Sequence, residues 1–573
     1  MKRTAISLSL LAALFFAGIV YASFQTSAPS VPLSKYVPAG PLLYMEAKDF
    51  SSLLADWNAS GQKKQWIKSS NYEVFSRSRL FLRLNGAGEQ FAAAAGLPPD
   101  MNFLSQVAGT RSAVALYDIG NLQFLYITYL PSAKAMQTSL WQTRARFEPR
   151  SAGGVSFYVR RDPESQREVA FAVSGDYLLL ATREDLLAGA LQLMSGSKDR
   201  SVEGEPWWAQ SVAATGAPGE LRMVLNMEKI VPSPYFRTYW VQQNITDLKQ
   251  YSAAISDLFL SGKQYREERV LLRKSGAVAG SSAEGIQAAS DLTRLIPDGA
   301  GVYEAKAQPA ANSCFDLLAT KLLAPHLGVA PSSLTAPQVA LTSGETGSDS
   351  DLETRIDQSL VQRPGNPQGT TALQELFSTT QFLGSLQVQS TETEGAGVFV
   401  RIHSAVVFAA ASDWDEANVQ SALAEFVRPG LTANQYGIIW QPRSEYQQLD
   451  GLWPLVASVR GKILFVGDDP ELITAMLSNL SRKPSEKPAL YLAGLNHARE
   501  RANFARFSSV VDRPNLDQSN GPGGLPSDDR QPQFFSENMA SLSSTLAGIS
   551  SEHVAVRSEG DKLLQTVTYE WAQ

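Results

Sequence analysis

The amino-acid sequence predicts an α+β fold built as two pseudo-repeated lobes, each a mainly antiparallel sheet with helices packed against it. Three observations carry this expectation. Val37-Pro38-Ala39-Gly40, followed by Leu43-Tyr44-Met45-Glu46-Ala47-Lys48, returns as Ile296-Pro297-Asp298-Gly299, followed by Val302-Tyr303-Glu304-Ala305-Lys306. The block Val173-Ser174-Gly175-Asp176-Tyr177-Leu178-Leu179-Leu180 returns as Val459-Arg460-Gly461-Lys462-Ile463-Leu464-Phe465-Val466. Behind each block lies an apolar stripe at helical spacing: Leu186, Leu187, Ala190, Leu191 and Met194, then Leu472, Ile473, Met476, Leu477 and Leu480, every position displaced by 286 (472 minus 186). Short helices are marginal by propensity, and a buried stripe contributes about 1.5–3 kcal/mol per large apolar side chain, so packing on a sheet would hold both. The first lobe is expected over residues 24–280 and the second over 281–573.

The elements follow in order. Residues 42–47 alternate as a strand, and Asp49 stands as an N-cap ahead of Phe50, Leu53, Leu54 and Trp57 at helical spacing. A further helical region runs through Tyr72, Phe75, Leu80 and Leu82. The β-rich runs 112–117 and 122–130 flank Asp118-Ile119-Gly120-Asn121, a hairpin spacing. Pro131-Ser132 opens a helix through Met136 and Trp141, strands follow at 155–159 and 168–174, and Gly175-Asp176 turns the chain into 177–181. Thr182 with Asp185 three positions on predicts a capping box. Each lobe then closes on a strand, 221–227 or 489–495, a helical region and β-like alternation at 268–272, 553–556 and 563–570. Residues 328–371 and 512–533 are rich in Ser, Gly, Pro and Asp and poor in aromatics, which reads as a mobile insertion in the second lobe and a long exposed loop.

Lys2 and Arg3, the apolar run 5–21 and the small-residue site around Ala22 describe a secretory signal peptide over residues 1–23, with an uncleaved membrane anchor as the alternative reading. The expected location is therefore the periplasm or cell envelope. The single cysteine, Cys314, excludes an intramolecular disulfide and a lipid-bearing N-terminal cysteine. It lies on a helix-like apolar stripe and reads as a packing residue, since a reactive thiol needs a base or cation beside it. With 50 basic and 56 acidic residues the net charge is −6, and the absence of a basic run argues against a nucleic-acid partner.

No motif assigns chemistry. His326, His403, His497 and His553 are scattered without neighbouring ligands, so neither a metal nor a cofactor is expected. Ser60-Gly61-Gln62-Lys63 and Ser195-Gly196-Ser197-Lys198 match the Ser-x-x-Lys of penicillin-binding enzymes but lack its partner motifs. The acidic groups Glu184-Asp185, Asp413/Asp415/Glu416 and Asp468-Asp469-Pro470-Glu471 fall where helices start, which favours capping over acid–base catalysis. Gly86-Ala87-Gly88 and Gly461-Lys462 are incomplete as phosphate loops. Trp207-Trp208 suits a core edge, with sugar stacking or a partner groove as alternatives. Asn58, Asn244 and Asn479 begin glycosylation sequons. Catalytic, cofactor-binding and metal residues are accordingly all left unassigned.

The motifs Pro38-x-Gly40-x-x-Leu43-Tyr44-x-Glu46, Leu53-Leu54-x-x-Trp57 and Gly175-x-Tyr177-Leu178-Leu179-Leu180-x-Thr182-x-x-Asp185-Leu186 resemble a family of uncharacterised exported bacterial proteins, grouped as a domain of unknown function and present here as two divergent copies. That resemblance implies no catalytic residues. The function expected is that of a non-enzymatic envelope protein of binding or scaffold type, its partner an unknown protein or small ligand. The alternatives are a small-ligand binder using an inter-lobe cleft and a hydrolase whose site is assembled from distant residues. A deep apolar pocket between the lobes with a few convergent polar groups would favour a small ligand, and a flat exposed apolar patch a protein partner.

Overall fold

In a computed structural model of the 573-residue chain, the residues described are 31–68, 72, 75–77, 79–234, 248–262, 264–274, 282–323, 371–393, 400–432, 439–449, 454–484, 486–500 and 548–571. The expected signal segment 1–23, the insertion at 328–370, the loop at 512–533, His326 and Asn244 lie outside them.

The chain is α+β, and its described strands join into one antiparallel sheet of twenty. The first ten are β1 (Leu43–Ala47), β2 (Ser112–Asp118), β3 (Gln123–Tyr129), β4 (Glu148–Ala152), β5 (Val155–Arg161), β6 (Glu168–Ser174), β7 (Tyr177–Ala181), β8 (Leu221–Asn226), β9 (Tyr251–Ser261) and β10 (Gln264–Arg273). The second ten are β11 (Val302–Ala307), β12 (Phe382–Thr393), β13 (Val400–Ala410), β14 (Gln441–Pro442), β15 (Gln447–Leu449), β16 (Leu455–Arg460), β17 (Ile463–Gly467), β18 (Tyr491–Asn496), β19 (Ile549–Glu559) and β20 (Lys562–Trp571).

Their pairings give the spatial order β4-β5-β6-β7-β3-β2-β1-β8-β9-β10-β20-β19-β18-β11-β12-β13-β17-β16-β15-β14. From either edge inwards the strands follow in the same succession, and the two series meet where β10 pairs β20 about Glu268 and Thr566. The registers correspond as well. Tyr44 faces Ala115 as Tyr303 faces Val388, and Tyr126 faces Leu180 as Val406 faces Val466. The hairpin turns 175–176 and 461–462 each place a glycine at positive φ, Gly175 at 54° and Gly461 at 58°, and Gly262 and Gly560 do the same ahead of β10 and β20. Such φ values are strained for any residue with a Cβ.

Helices cover both faces of the sheet. The longer ones are α1 (Phe50–Ala59), α2 (Gly61–Ile67), α3 (Arg79–Ala95), α4 (Met101–Val107), α5 (Glu184–Met194), α6 (Pro206–Ala213), α7 (Ala283–Leu292), α8 (Ala311–Leu318), α9 (Ala372–Thr379), α10 (Glu416–Thr432) and α11 (Pro470–Ser478). Because side chains alternate across a strand, Leu179 and Ala181 of β7 pack with α5 on one face while Leu178 and Leu180 pack with Phe103 and Val107 of α4 on the other. Leu464 and Val466 of β17 likewise enter a different core from Phe465, which packs with Ile473 and Met476 of α11. Burial on both sides is why these strands read as continuous apolar runs. Leu186 and Leu472, the first members of the two stripes, are 5% and 8% exposed.

The expected capping box is corrected. Helix α5 begins at Glu184 with Arg183 as an N-cap that makes no side-chain cap bond. The Thr182 hydroxyl instead accepts from the Phe124 amide at 2.9 Å, tying the end of β7 to β3. The matching place in β17–β13 is held by Asp468, whose Oδ1 accepts from the Ser404 amide at 2.7 Å, and the next residue, Asp469, caps α11 through the amides of Glu471 and Leu472. Position 182 is thus a strand latch, one residue ahead of the N-cap.

Candidate functional site

Three helices roof the face formed by β2, β3, β7 and β6. Asp49 starts α1 by accepting from the Ser52 amide at 2.9 Å, and that bond with the Ser51 and Ser52 hydroxyls holds its carboxyl below the usual range. Asp100 starts α4 in the same way, accepting from the Phe103 amide at 2.8 Å. Between them, α3 crosses the sheet with Gly86, Ala87 and Gly88 on its inner side, and residues this small leave room beneath it.

That room is a cavity of about 350 Å³ whose walls include Phe91 and Phe103 from the helices and Phe124, Tyr126, Val169 and Leu180 from the sheet. Polar groups on the wall are turned away from it. The Tyr126 hydroxyl donates to the Val107 carbonyl at 2.9 Å, burial raises its pKa, and Thr182 is held by Phe124 as described. The surface offered inside is therefore carbon. At the rim, Arg167 donates from Nε to Gln90 of α3 at 2.7 Å and from Nη1 to the Asn121 carbonyl. Leu84, Ala87, Leu122 and Arg167 also line an adjoining cavity of about 360 Å³.

The opposite face carries a polar cleft of about 770 Å³ between β1 and α6, lined by Tyr44, Glu46, Arg111, Glu203, Trp208 and Arg222 among others. Its acids are engaged by neighbours: Glu46 accepts from Arg111 Nε at 2.6 Å and from the Tyr44 hydroxyl at 2.5 Å, and Glu203 accepts from the Ser34 hydroxyl at 2.6 Å. Burial, with Glu46 beside it, pushes the Tyr44 phenol well above its ordinary value. A smaller space of about 150 Å³ lies beside Tyr303, whose hydroxyl is 3.3 Å from His553 Nδ1.

The residues singled out by sequence do not converge. His403 Nδ1 lies 3.5 Å from Asp469, His497 Nε2 lies 3.6 Å from Glu552, and His553 meets Tyr303. Among the described residues no group of three His, Cys, Asp or Glu could hold a metal ion. Ser60 caps α2 by accepting from the Lys63 amide at 3.1 Å and donates to the Trp57 carbonyl, while the Lys63 ammonium bonds Asn58. Ser195 donates to the Gln192 carbonyl at 2.7 Å where Gly196 ends α5. Asp415 accepts from the Asn418 amide at the start of α10, Arg183 pairs with Asp185, and burial raises the Asp468 pKa. Trp208 is buried with its ring edge-on to Tyr44 at 4.8 Å, and Trp207 donates to Glu205. Cys314 is buried, which pushes its thiol up to about 12. Asn479 is buried, donating to the Ile296 carbonyl. Gly86-Ala87-Gly88 is no phosphate loop but mid-helix: Ala87 and Gly88 wall the cavity, and Gly86 lines the adjoining space. The other lining residues form no motif.

No family model matches this chain, and no curated protein matches it. Among solved structures, crystal form I of TP0453 is similar at a TM-score of 0.23 and 11% identity over 44% of this chain and 82% of that one. Crystal form III of TP0453 gives a TM-score of 0.23 and 10% identity over 44% and 84%. Among the described residues no helix is long and apolar enough to cross a membrane.

Proposed function

We propose that this chain is an exported binding protein of two pseudo-repeated lobes whose first lobe takes up a small apolar molecule beneath α3. The observation that carries this reading is the cavity walled by Phe91, Phe103, Phe124, Tyr126, Val169 and Leu180, in which carbon lines the walls and Arg167 sits at the rim. Its size is at the lower end of the roughly 300–1,000 Å³ usual for small-molecule pockets. Each methylene moved there from water contributes about 0.8 kcal/mol. A chain of about ten would gain about 8 kcal/mol against an association cost of about 4 kcal/mol or more.

The two-lobe reading is supported by the matching strand succession, by the glycine pairs Gly175/Gly461 and Gly262/Gly560, and by Thr182 and Asp468 making the same latch. The lobes diverge where the cavity lies. In register, Tyr126 and Thr128 correspond to Val406 and Phe408, and on that face of the second lobe Phe377, Phe382, Phe408 and Trp414 fill the core, with Phe377 and Phe408 rings 5.3 Å apart. Among the described residues, large aromatic side chains pack together on this face of the second lobe where the first lobe has its cavity, which fits a scaffold lobe beside a binding lobe. The export reading rests on residues 1–23.

Titration of the full chain with the neutral fluorophore N-phenyl-1-naphthylamine tests this. The expected result is saturable binding at one site, abolished in Ala87→Trp with the far-ultraviolet circular dichroism unchanged. Non-saturable fluorescence, or equal binding by a folded Ala87→Trp chain, would overturn it.

A further inference from the structure

We infer that the molecule taken up by the first lobe is an anionic amphiphile, an apolar chain ending in a carboxylate or phosphate that Arg167 holds. The inference rests on the cavity being a binding site and adds the chemistry of its head group. Leu84, Ala87, Leu122 and Arg167 line both the carbon-walled cavity and its neighbour, so Arg167 is the one charged residue common to the two spaces. In the neighbouring space the charged lining residues are Arg83 and Arg167, both cationic. The single carboxylate on the apolar side, Glu168, is mostly buried and lies 3.8 Å from Arg161.

Arg167 is built into place. It follows a turn in which Asp162 accepts from the Ser165 amide at 2.7 Å and the Asp162 amide donates to the Arg167 carbonyl at 2.8 Å. Its side chain is then oriented by Gln90 and the Asn121 carbonyl, which occupy two of the five guanidinium N–H groups. Among the described residues the other three make no hydrogen bond, and a planar fork of charged donors fits a carboxylate or phosphate oxygen pair. A bound molecule would place its chain among Phe91, Phe103 and Leu180 and its head at Arg167, where a polar contact supplies affinity that burial of a short chain alone does not.

The test displaces N-phenyl-1-naphthylamine from the full chain with laurate, dodecyl phosphate, dodecanol and dodecyltrimethylammonium, the ionic ligands below their micellar concentrations and dodecanol below its solubility limit. Laurate or dodecyl phosphate is expected to displace at a concentration about tenfold or more below dodecanol, as a charge-assisted hydrogen bond implies, and the order of the two anions identifies the head group. Arg167→Gln should bring anion and alcohol within about twofold of one another, each read against that variant's own fluorophore affinity, and Arg167→Lys should restore part of the difference. Equal displacement by dodecanol or the cation, or an anion advantage surviving Arg167→Gln, would overturn the inference. Should Arg167→Gln fail to fold, the unmodified chain decides: added salt should weaken laurate and spare dodecanol, and equal sensitivity counts against the proposal. Absence of fluorophore binding would instead strike the cavity itself.

Discussion

Arg222 and Asp257 face one another across β8 and β9, joined by two bonds of 2.7 Å, with side chains only 11% and 3% exposed. Asp257 also accepts from the Gly219 amide, and Arg222 donates to Thr215 and the Gly216 carbonyl. At the corresponding register of β18 and β19 stand Leu492 and Ala555. The same sheet position is therefore occupied once by a buried ion pair and once by two apolar side chains.

A double-mutant cycle should expose what that pair does. Arg222→Leu or Asp257→Ala alone strands a buried charge and is expected to cost about 3–5 kcal/mol in denaturant unfolding. The double variant, which copies Leu492 and Ala555, should return to within about 1 kcal/mol of the parent or exceed it. A double variant as unstable as the singles would show that the ion pair is required by its surroundings.

The tyrosines Tyr44 and Tyr303 correspond in register, but their neighbours do not. Tyr44 faces Val224 and stacks edge-on against Trp208, whereas Tyr303 faces Gly494, and a Cβ added at Gly494 would lie 2.2 Å from Tyr303 Cε1, a clash with the ring edge. Gly494→Val should therefore lower stability by about 1–3 kcal/mol, as overpacking does, although valine is native at the matching position. A melting temperature equal to that of the parent would contradict this.

Asp468 offers a pH signature. Burial raises its pKa above the ordinary 3.8, Asp469 adds to the rise, and the Ser404 amide and His403 oppose it. A carboxyl whose folded pKa lies above its unfolded value disfavours the folded state once pH exceeds the unfolded value, because the buried form resists ionising. Asp468→Asn, which can still accept from Ser404, should thus stabilise the chain at neutral pH, and the gain should vanish as pH falls toward the ordinary carboxylate value. Equal gains at pH 7 and pH 3, measured by chemical denaturation, would assign the effect to something other than charge.

Gly88 lies within α3, and an added Cβ would meet Pro99 at an ordinary 3.7 Å. Gly88→Ala is expected to add about 0.5–1 kcal/mol of stability by restricting the unfolded chain and favouring helix. Fluorophore binding should persist, since one methyl removes little of the cavity; its loss would mean that the glycine serves the ligand directly.

How far the sequence could be read follows from where burial leaves a local trace. β7 and the stripes of α5 and α11 were legible because consecutive or helically spaced apolar residues enter a core directly. β9 was hidden because Asp257 falls where its alternation of buried Tyr251, Ala253 and Ile255 calls for an apolar residue, and the Arg222 that satisfies it lies 35 residues away. β12 carries Ser385 and Gln387 at buried positions and was hidden likewise. Thr182 was misjudged because the amide it serves belongs to Phe124, again distant in sequence. The cavity left no trace beyond small residues on α3, since an empty space is set by how far Phe91 stands from Leu180 and by nothing in either residue alone.

Among the described strands the outer margins of the sheet, β4 and β14, each contain a proline in matching register, Pro149 facing Tyr158 and Pro442 facing Gln447. Both margins are short and largely exposed, and Glu148 and Arg150 add charge to the first. A ribbon this wide would otherwise be a template for lateral polymerisation, because an open edge invites another strand to dock. A proline in each margin takes one amide donor out of the strand, the means by which sheet edges are commonly blunted.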